Sequence, residues 1–287
     1  MNLKSTPGSK KLIYDVGLHQ GQDTDFYLKK GFEVVAFEAN PANVDFCKKR
    51  FAQAIAEKRL TIVEGAIVEN SSTEKQEKVK FYLNNDHSFW GSTSDDWAYR
   101  NEVMGTTNRM IEIGAVNFEQ AIERHGVPFY LKADIVGSEM ICLRALAAFA
   151  EKPEYISIRS EKVIFTRLKE EFRLLEELGY NRFKAIQQDI PHLETAFTNV
   201  RGEKITHVFE EGGSGFFAEE TAGKWKNKEQ VLKEYNRIFT LYWLFGDYSY
   251  LIQTEKGKKL IAKLERIARR PLPGWYDTHA KHSSVKP

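Results

Sequence analysis

The sequence predicts a three-layer α/β domain around a mostly parallel sheet, followed by a helical C-terminal extension. Two observations carry that prediction. Strand-length apolar runs alternate with segments of helical length and period. Glycine, proline or asparagine also stands at most of the joints between them. Strand, helix, strand order with short joints implies parallel pairing through right-handed crossovers.

Lys11–Val16 reads as a strand ending at glycine, and Asp23–Lys30 as a helix closed by Gly31. Glu33–Phe37 is a buried strand that runs into Glu38. Pro41 sits where a first-turn proline belongs, and a helix continues from Ala42 to Glu57. Leu60–Val63 is the third strand. Residues 67–108 are less regular, with a strand at Val79–Leu83 and a loop over Asn84–Ser94 rich in polar and aromatic residues. Met110–Val116 is strand-like, and Asn117 can cap a helix reaching His125. The alternation then resumes with a strand at Val127–Ala133, a helix at Ser138–Phe149 and a strand at Tyr155–Ile158. A periodic helix covers Val163–Leu178 and stops at Gly179. A late strand at Thr206–Phe209 precedes the Gly212-Gly-Ser-Gly215 punctuation, and helices follow at about 228–245 and 257–269. The expected division is a flexible N-terminus over 1–10, the α/β domain over 11–215 and a helical extension over 216–287 packed on it.

Composition narrows the class. The 287 residues suit one large domain, and 42% hydrophobic content is ordinary for a globular chain. No apolar run approaches the roughly 20 residues that cross a bilayer, which argues against a membrane protein. No secretory signal stands at the N-terminus, so a cytoplasmic protein is expected. Cys47 and Cys142 cannot build a disulfide framework or a cysteine-rich zinc site. Residues 254–287 hold nine Lys or Arg against three Asp or Glu; such a tail can attract nucleic acid or an acidic substrate, but a solvated terminal helix with a polar tail is the expected reading. No interleaved basic and aromatic pattern points to nucleic acid. No metal is expected, because Asp134 has no carboxylate or histidine partner at helical spacing and Asp95-Asp96 is an isolated pair. Tyr235, Phe239, Tyr242, Trp243 and Phe245 follow helical spacing; core packing accounts for them, with a homodimer left open.

Ligands of an open parallel sheet bind beyond the carboxyl ends of the strands. After the first strand stands Asp15-Val-Gly-Leu-His-Gln-Gly21, where Gly17 allows a sharp turn and Gly21 a close backbone approach. Glu38 follows the second strand, 23 residues after Asp15, where a carboxylate can accept both hydroxyls of a ribose. A dinucleotide fold would prefer G-x-G-x-x-G, but position 19 is histidine, and no P-loop occurs. Ribose recognition without a pyrophosphate cradle suits S-adenosylmethionine, and Asp15 suits its cationic amino acid end. His19 stands inside the turn, either touching a ligand or packing on the next helix.

The segment from Asp15 to Pro41 resembles the opening of FkbM-family methyltransferases, as do Glu64-Gly-Ala66, Phe129–Glu139 and the run Pro273–Ala280. The resemblance spans roughly residues 11–180, with weaker echoes to 280. It implies a class I methyltransferase fold, Rossmann-like, with seven strands of which the last is antiparallel. By the same similarity Asp15, Gly17 and Gly21 line the methionine end of the cofactor, Glu38 and Asn40 the ribose, and Gly65 and Ala66 the adenine. One departure concerns Lys132-Ala-Asp-Ile-Val-Gly137, where the family usually places a carboxylate at the position of Val136, while Arg159 brings a positive charge to the same rim.

Methyl transfer to a weak nucleophile benefits from a base. The candidates are Asp134 at a strand end (which also stands at the cofactor side), His87 in the irregular loop and Glu161 after the fifth strand. Arg159, Trp90, Trp275 and Tyr276 are the candidate acceptor contacts, the last two if the tail folds back. Three functions stand open: methylation of an oxygen of a sugar or secondary metabolite, which the resemblance most often implies, methylation of a nitrogen in a peptide natural product, or nucleoside binding with impaired catalysis.

Overall fold

The computed structural model describes residues 3–69, 77–188, 194–246, 249–252, 254–268 and 271–286. Its strands are β1 (Gly8–Val16), β2 (Glu33–Glu38), β3 (Leu60–Glu64), β4 (Ala66–Val68), β5 (Lys78–Asn84), β6 (Asn108–Asn117), β7 (Val127–Ala133), β8 (Tyr155–Arg159), β9 (Tyr180–Gln188), β10 (Glu194–Thr198), β11 (Lys204–Val208) and β12 (Trp275–His282). Its helices are α1 (Gln22–Lys30), α2 (Pro41–Arg50), α3 (Ala52–Ala56), α4 (Asp95–Val103), α5 (Phe118–His125), α6 (Glu139–Leu146), α7 (Phe165–Glu177), α8 (Lys228–Phe245) and α9 (Glu255–Ala268). Residues 1, 2 and 269, parts of the expected N-terminus and last helix, lie outside the described residues.

Seven strands form the central sheet in the order β3-β2-β1-β7-β8-β12-β9. All neighbours are parallel except those of β12, which runs against both β8 and β9. The chain winds outward from β1 to β3, then returns to place β7 against the other side of β1. That reversal opens a crevice beyond the carboxyl ends of β1 and β7. Alternation along β1 explains the layers. Leu12, Tyr14 and Val16 join a core with residues of α5, α6, α7 and α8, whereas Ile13 faces one with Phe26, Tyr27 and Phe51. The expected strands near 79–83 and 110–116 form, but pair with each other in a small separate sheet. Among the described residues the late strand near 206 pairs with β10 alone.

Local chemistry sets the ends of the elements. Asn40 accepts the Ala42 N–H at 3.0 Å with Pro41 at the first helical position, and Gly31 ends α1 at φ 95°. Phe51 breaks the expected single helix into α2 and α3.

Two expectations need correction. The N-terminus is pinned from residue 4, where the Lys4 N–H donates to Ala148 O at 2.8 Å and accepts through its carbonyl from Ala150 at 3.0 Å. The C-terminal segment is not all helical, because β12 threads between β8 and β9 and completes the sheet. β12 is nearly devoid of the apolar alternation that signals a strand. Asp277, Thr278, His279 and Lys281 are polar yet buried, and for Thr278 and Lys281 hydrogen bonds offset the burial. Thr278 Oγ1 lies 2.5 Å from Ser160 Oγ and 2.6 Å from the Tyr235 hydroxyl, and Ser160 and Tyr235 are themselves 2.8 Å apart. Among the described residues no helix is long and apolar enough to cross a membrane.

Thr278→Val keeps the shape but leaves Ser160 and Tyr235 one partner short. It should lower the unfolding free energy by about 1–3 kcal/mol, read from urea denaturation; a change within error would remove this hydroxyl cluster from the account of how β12 is held.

Candidate functional site

The crevice at the β1/β7 reversal has a volume of about 320 Å³, within the range of small-molecule sites. Its floor is built from the turns that follow β1, β2, β3 and β7, and its roof from residues 88–93 and 211–214. Arg159, Gln188 and Trp275 close the far corner.

Gly17 is forced by close approach. Its φ is 96°, and a Cβ there would lie 2.1 Å from the Asp134 carbonyl oxygen. The Gly17 and Leu18 N–H groups donate to Phe37 O at 3.1 and 3.0 Å, and Asp134 N–H donates to Val16 O at 2.8 Å. Three strand ends are thereby bound into one rim. Glu38 then ties two turns together, accepting the His19 N–H at 2.6 Å on Oε2 and the Asn40 N–H at 2.8 Å on Oε1. Burial pushes its carboxyl up to about 7, against the pull of those N–H groups. The His19 ring stacks on Phe89 at 3.8 Å between centroids and lies 2.8 Å from Ser88 Oγ, fastening the roof to the β1 turn. Burial lowers the basicity of that ring.

Charged groups lie beneath and beside the crevice. Lys132 Nζ sits 3.3 Å from Asp15 Oδ1 and 3.1 Å from Asp23 Oδ2, all three buried. Burial opposes its charge, but the two carboxylates prevail and hold the ammonium well above its ordinary range. Asp134 Oδ1 accepts from Arg159 at 3.3 Å. Burial works to raise its pKa, yet Arg159 and Lys132 together hold this carboxyl below its ordinary value. Glu139 is driven the other way by burial, up to about 7. Asp277, under the same rim, is raised to about 8 by burial and by Asp134.

Ten of the residues expected from sequence line this one crevice: Gly17, His19, Glu38, Asn40, Gly65, Ala66, Trp90, Asp134, Arg159 and Trp275. Five do not. Asp15 is sealed behind the floor, bonded to Lys132 and to the Thr24 hydroxyl at 2.7 Å. Gly21 makes room for a neighbour rather than a ligand, since a Cβ there would strike the Phe51 ring at 2.3 Å. His87 is exposed and packs on Trp90 at 4.3 Å. Glu161 accepts the backbone N–H groups of Lys162, Val163 and Ile164 ahead of α7. Tyr276 packs against the apolar core and donates to Gln187 Oε1 at 3.3 Å. The expectation missed Asp23, Gln188 and the 212–214 roof. The glycine run at 212 was a signal of a turn, but nothing in it names the crevice as its destination.

No protein-family model matches the sequence, and no curated protein matches it. Solved structures do. A precorrin-6y C5,15-methyltransferase from Geobacter metallireducens is 13% identical, over 70% of this chain and 77% of that one, with a TM-score of 0.34. A SAM-dependent methyltransferase from Archaeoglobus fulgidus is 10% identical over 95% and 86%, with a TM-score of 0.37. The methyltransferase FkbM from Methylobacillus flagellatus is 16% identical over 59% of this chain but 38% of that one, with a TM-score of 0.37. At such identities and scores no residue role passes from them to this chain.

Glu38, Glu139 and Asp277 share a consequence for stability. Each is raised to about 7, 7 and 8 in the fold, above the roughly 4 of an unfolded carboxyl. The folded chain therefore binds protons more tightly, so their contribution is full below the unfolded value and is lost as pH climbs through 7 to 8. Urea midpoints of the unliganded protein should fall across that window, and Asp277→Asn should flatten the decline; a midpoint that rises there contradicts the assignment.

Proposed function

We propose that the crevice binds S-adenosylmethionine and that the chain is a methyltransferase of the FkbM kind, acting on an oxygen of a sugar or secondary metabolite. Glu38 carries the reading. It is a nearly buried carboxylate at the end of β2, and its two oxygens accept the His19 and Asn40 N–H groups from the turns on either side. Burial raises its pKa although Asn40, His19, Asn43 and Ala39 all donate to it, so the buried anion remains under-solvated. The two hydroxyls of a ribose are the donors that would complete it.

The rest of the crevice fits the same cofactor. Ala66, Ile67 and Phe81 give an apolar wall beside Glu38 for a flat base. Asp23 faces the crevice from the first turn of α1, accepting the Ser214 N–H at 2.7 Å. A pyrophosphate resting on that helix end would meet this carboxylate, whereas a cationic amino acid group would be attracted to it.

When bound, S-adenosylmethionine supplies a methyl group already activated by its sulfonium. The chain's own work is to bind, orient and exclude water. Glu38 and Asn40 would fix the ribose, and the 88–93 and 211–214 segments cover the reacting end. Asp134 stays anionic beside Arg159, which suits it to attract positive charge and makes it a weak proton acceptor. This reading assigns no base to His87 or Glu161, which do not line the crevice.

Each hydrogen bond to a charged group contributes about 1.5–3 kcal/mol, so losing two should weaken S-adenosylhomocysteine binding to Glu38→Ala by roughly 100-fold or more. The anion is the binding form, so affinity should be flat above pH 7 and fall as pH drops below it, with a proton released on binding. Calorimetry in buffers of different ionisation enthalpy reads both. Equal affinity on either side of that pH, in a variant series that still melts cooperatively, removes Glu38 from the site.

A further inference from the structure

We infer that the far corner of the crevice, at the end of β8, is an anion site, and that the methyl acceptor carries a carboxylate or phosphate held there by Arg159. The inference rests on the methyltransferase reading above and adds the chemical class of the acceptor. Three observations carry it.

The Arg159 side chain lines the crevice and is nine-tenths buried, with 9% of its surface exposed. A guanidinium offers five N–H donors. Among the described residues only one hydrogen bond uses them, Nη1 to Asp134 Oδ1 at a long 3.3 Å, and it is not a two-pronged pair. A buried fork with donors to spare is costly unless a planar or tetrahedral oxyanion completes it.

The second observation is Gln188, 5% exposed, which lines the same corner and whose Oε1 has no hydrogen-bond partner. That oxygen is itself covered, and a rotation of the side chain would turn it toward a hydroxyl or N–H of the same ligand. The third is Trp275. Arg159 Cζ lies 3.5 Å from its ring centroid and Lys162 Nζ lies 3.3 Å from it, so two cations converge on one indole. Of the acids around Arg159, Asp134 is the one held anionic, while burial drives Glu139 and Asp277 toward their neutral forms.

The cofactor's own carboxylate is the rival occupant. The order of strands argues against it. Glu38 is on β2, and β1 and β7 separate that strand from β8. A nucleoside held at Glu38 brings its amino acid end to the β1/β7 reversal, and Arg159 stands one strand beyond.

The test uses the full chain saturated with S-adenosylhomocysteine, titrated calorimetrically with glucuronate, glucose 6-phosphate and glucose. Both anions should bind about tenfold or more tightly than glucose. Arg159→Gln should erase that difference, Arg159→Lys should keep part of it, and both variants should bind S-adenosylhomocysteine like the parent. Asp134→Asn should strengthen the anion response several-fold by removing the competing carboxylate, which a purely structural ion pair would not do. Equal binding of the three probes, anion binding untouched by Arg159→Gln, or loss of S-adenosylhomocysteine affinity in that variant each overturns the inference. The two readings fail separately. A protein that binds S-adenosylhomocysteine but ignores both anions loses the anion site and keeps the cofactor; one that binds the anions through Arg159 but no nucleoside does the reverse.

Discussion

The crevice hangs on one buried cation. Lys132 leaves β7 toward β1 and meets Asp15 and Asp23 together. Asp15 also takes the Thr24 hydroxyl, and Asp23 takes the Ser214 N–H. A single ammonium thus joins the two central strands, the first turn of α1 and the roof. Removing one member of such a network costs about 3–5 kcal/mol, because the remaining charges stay buried without compensation. Asp15 is therefore committed to Lys132 and is not available to a ligand, although it stands directly before the glycine turn. Asp23, with one oxygen on Lys132 and the other on the roof, is the acid that faces the crevice.

The first half of the fold was legible because each strand there is apolar and each joint carries its own punctuation. Gly17 and Glu38 were legible for the same reason: they stand immediately after strands, where the sheet must deliver them to the crevice at its carboxyl edge. Reactive residue type was a poorer guide. Glu161 and His87 carry groups able to move protons, yet Glu161 is spent on the backbone ahead of α7 and His87 lies outside the roof. Side-chain direction is decided by local backbone hydrogen bonds, which residue identity alone does not disclose.

What stayed hidden depends on distant partners. Asp23 finds Ser214 across 191 positions, and β12 finds its neighbours only once β8 and β9 exist. Its burial rests on paired polar groups: Thr278 with Ser160 and Tyr235, and Lys281 with the Glu219 carboxylate at 2.6 Å. A hydrophobic pattern reports strands that gain by leaving water, whereas this one is stabilised by hydrogen-bonding partners that no window of sequence contains. Trp275 reaches the crevice because β12 is in the sheet, and the next residue, Tyr276, falls on the opposite side by the two-residue period.

One electrostatic balance operates at the β7 and β8 ends. Two residues after Asp134 stands Val136, which is buried and bound through its carbonyl by the Ser92 hydroxyl at 2.9 Å. A second carboxylate beside Asp134 would repel it and raise its pKa, favouring a proton-accepting role. Here the neighbour is neutral and a guanidinium stands at 3.3 Å, so Asp134 is pulled down instead. The same guanidinium weakens the base and leaves donors unfilled at the rim. Loss of basicity and gain of anion affinity are thus two consequences of one charge at position 159, and an acceptor that brings its own negative charge would turn the second to use while adding to the neutralisation of Arg159 that restores the first.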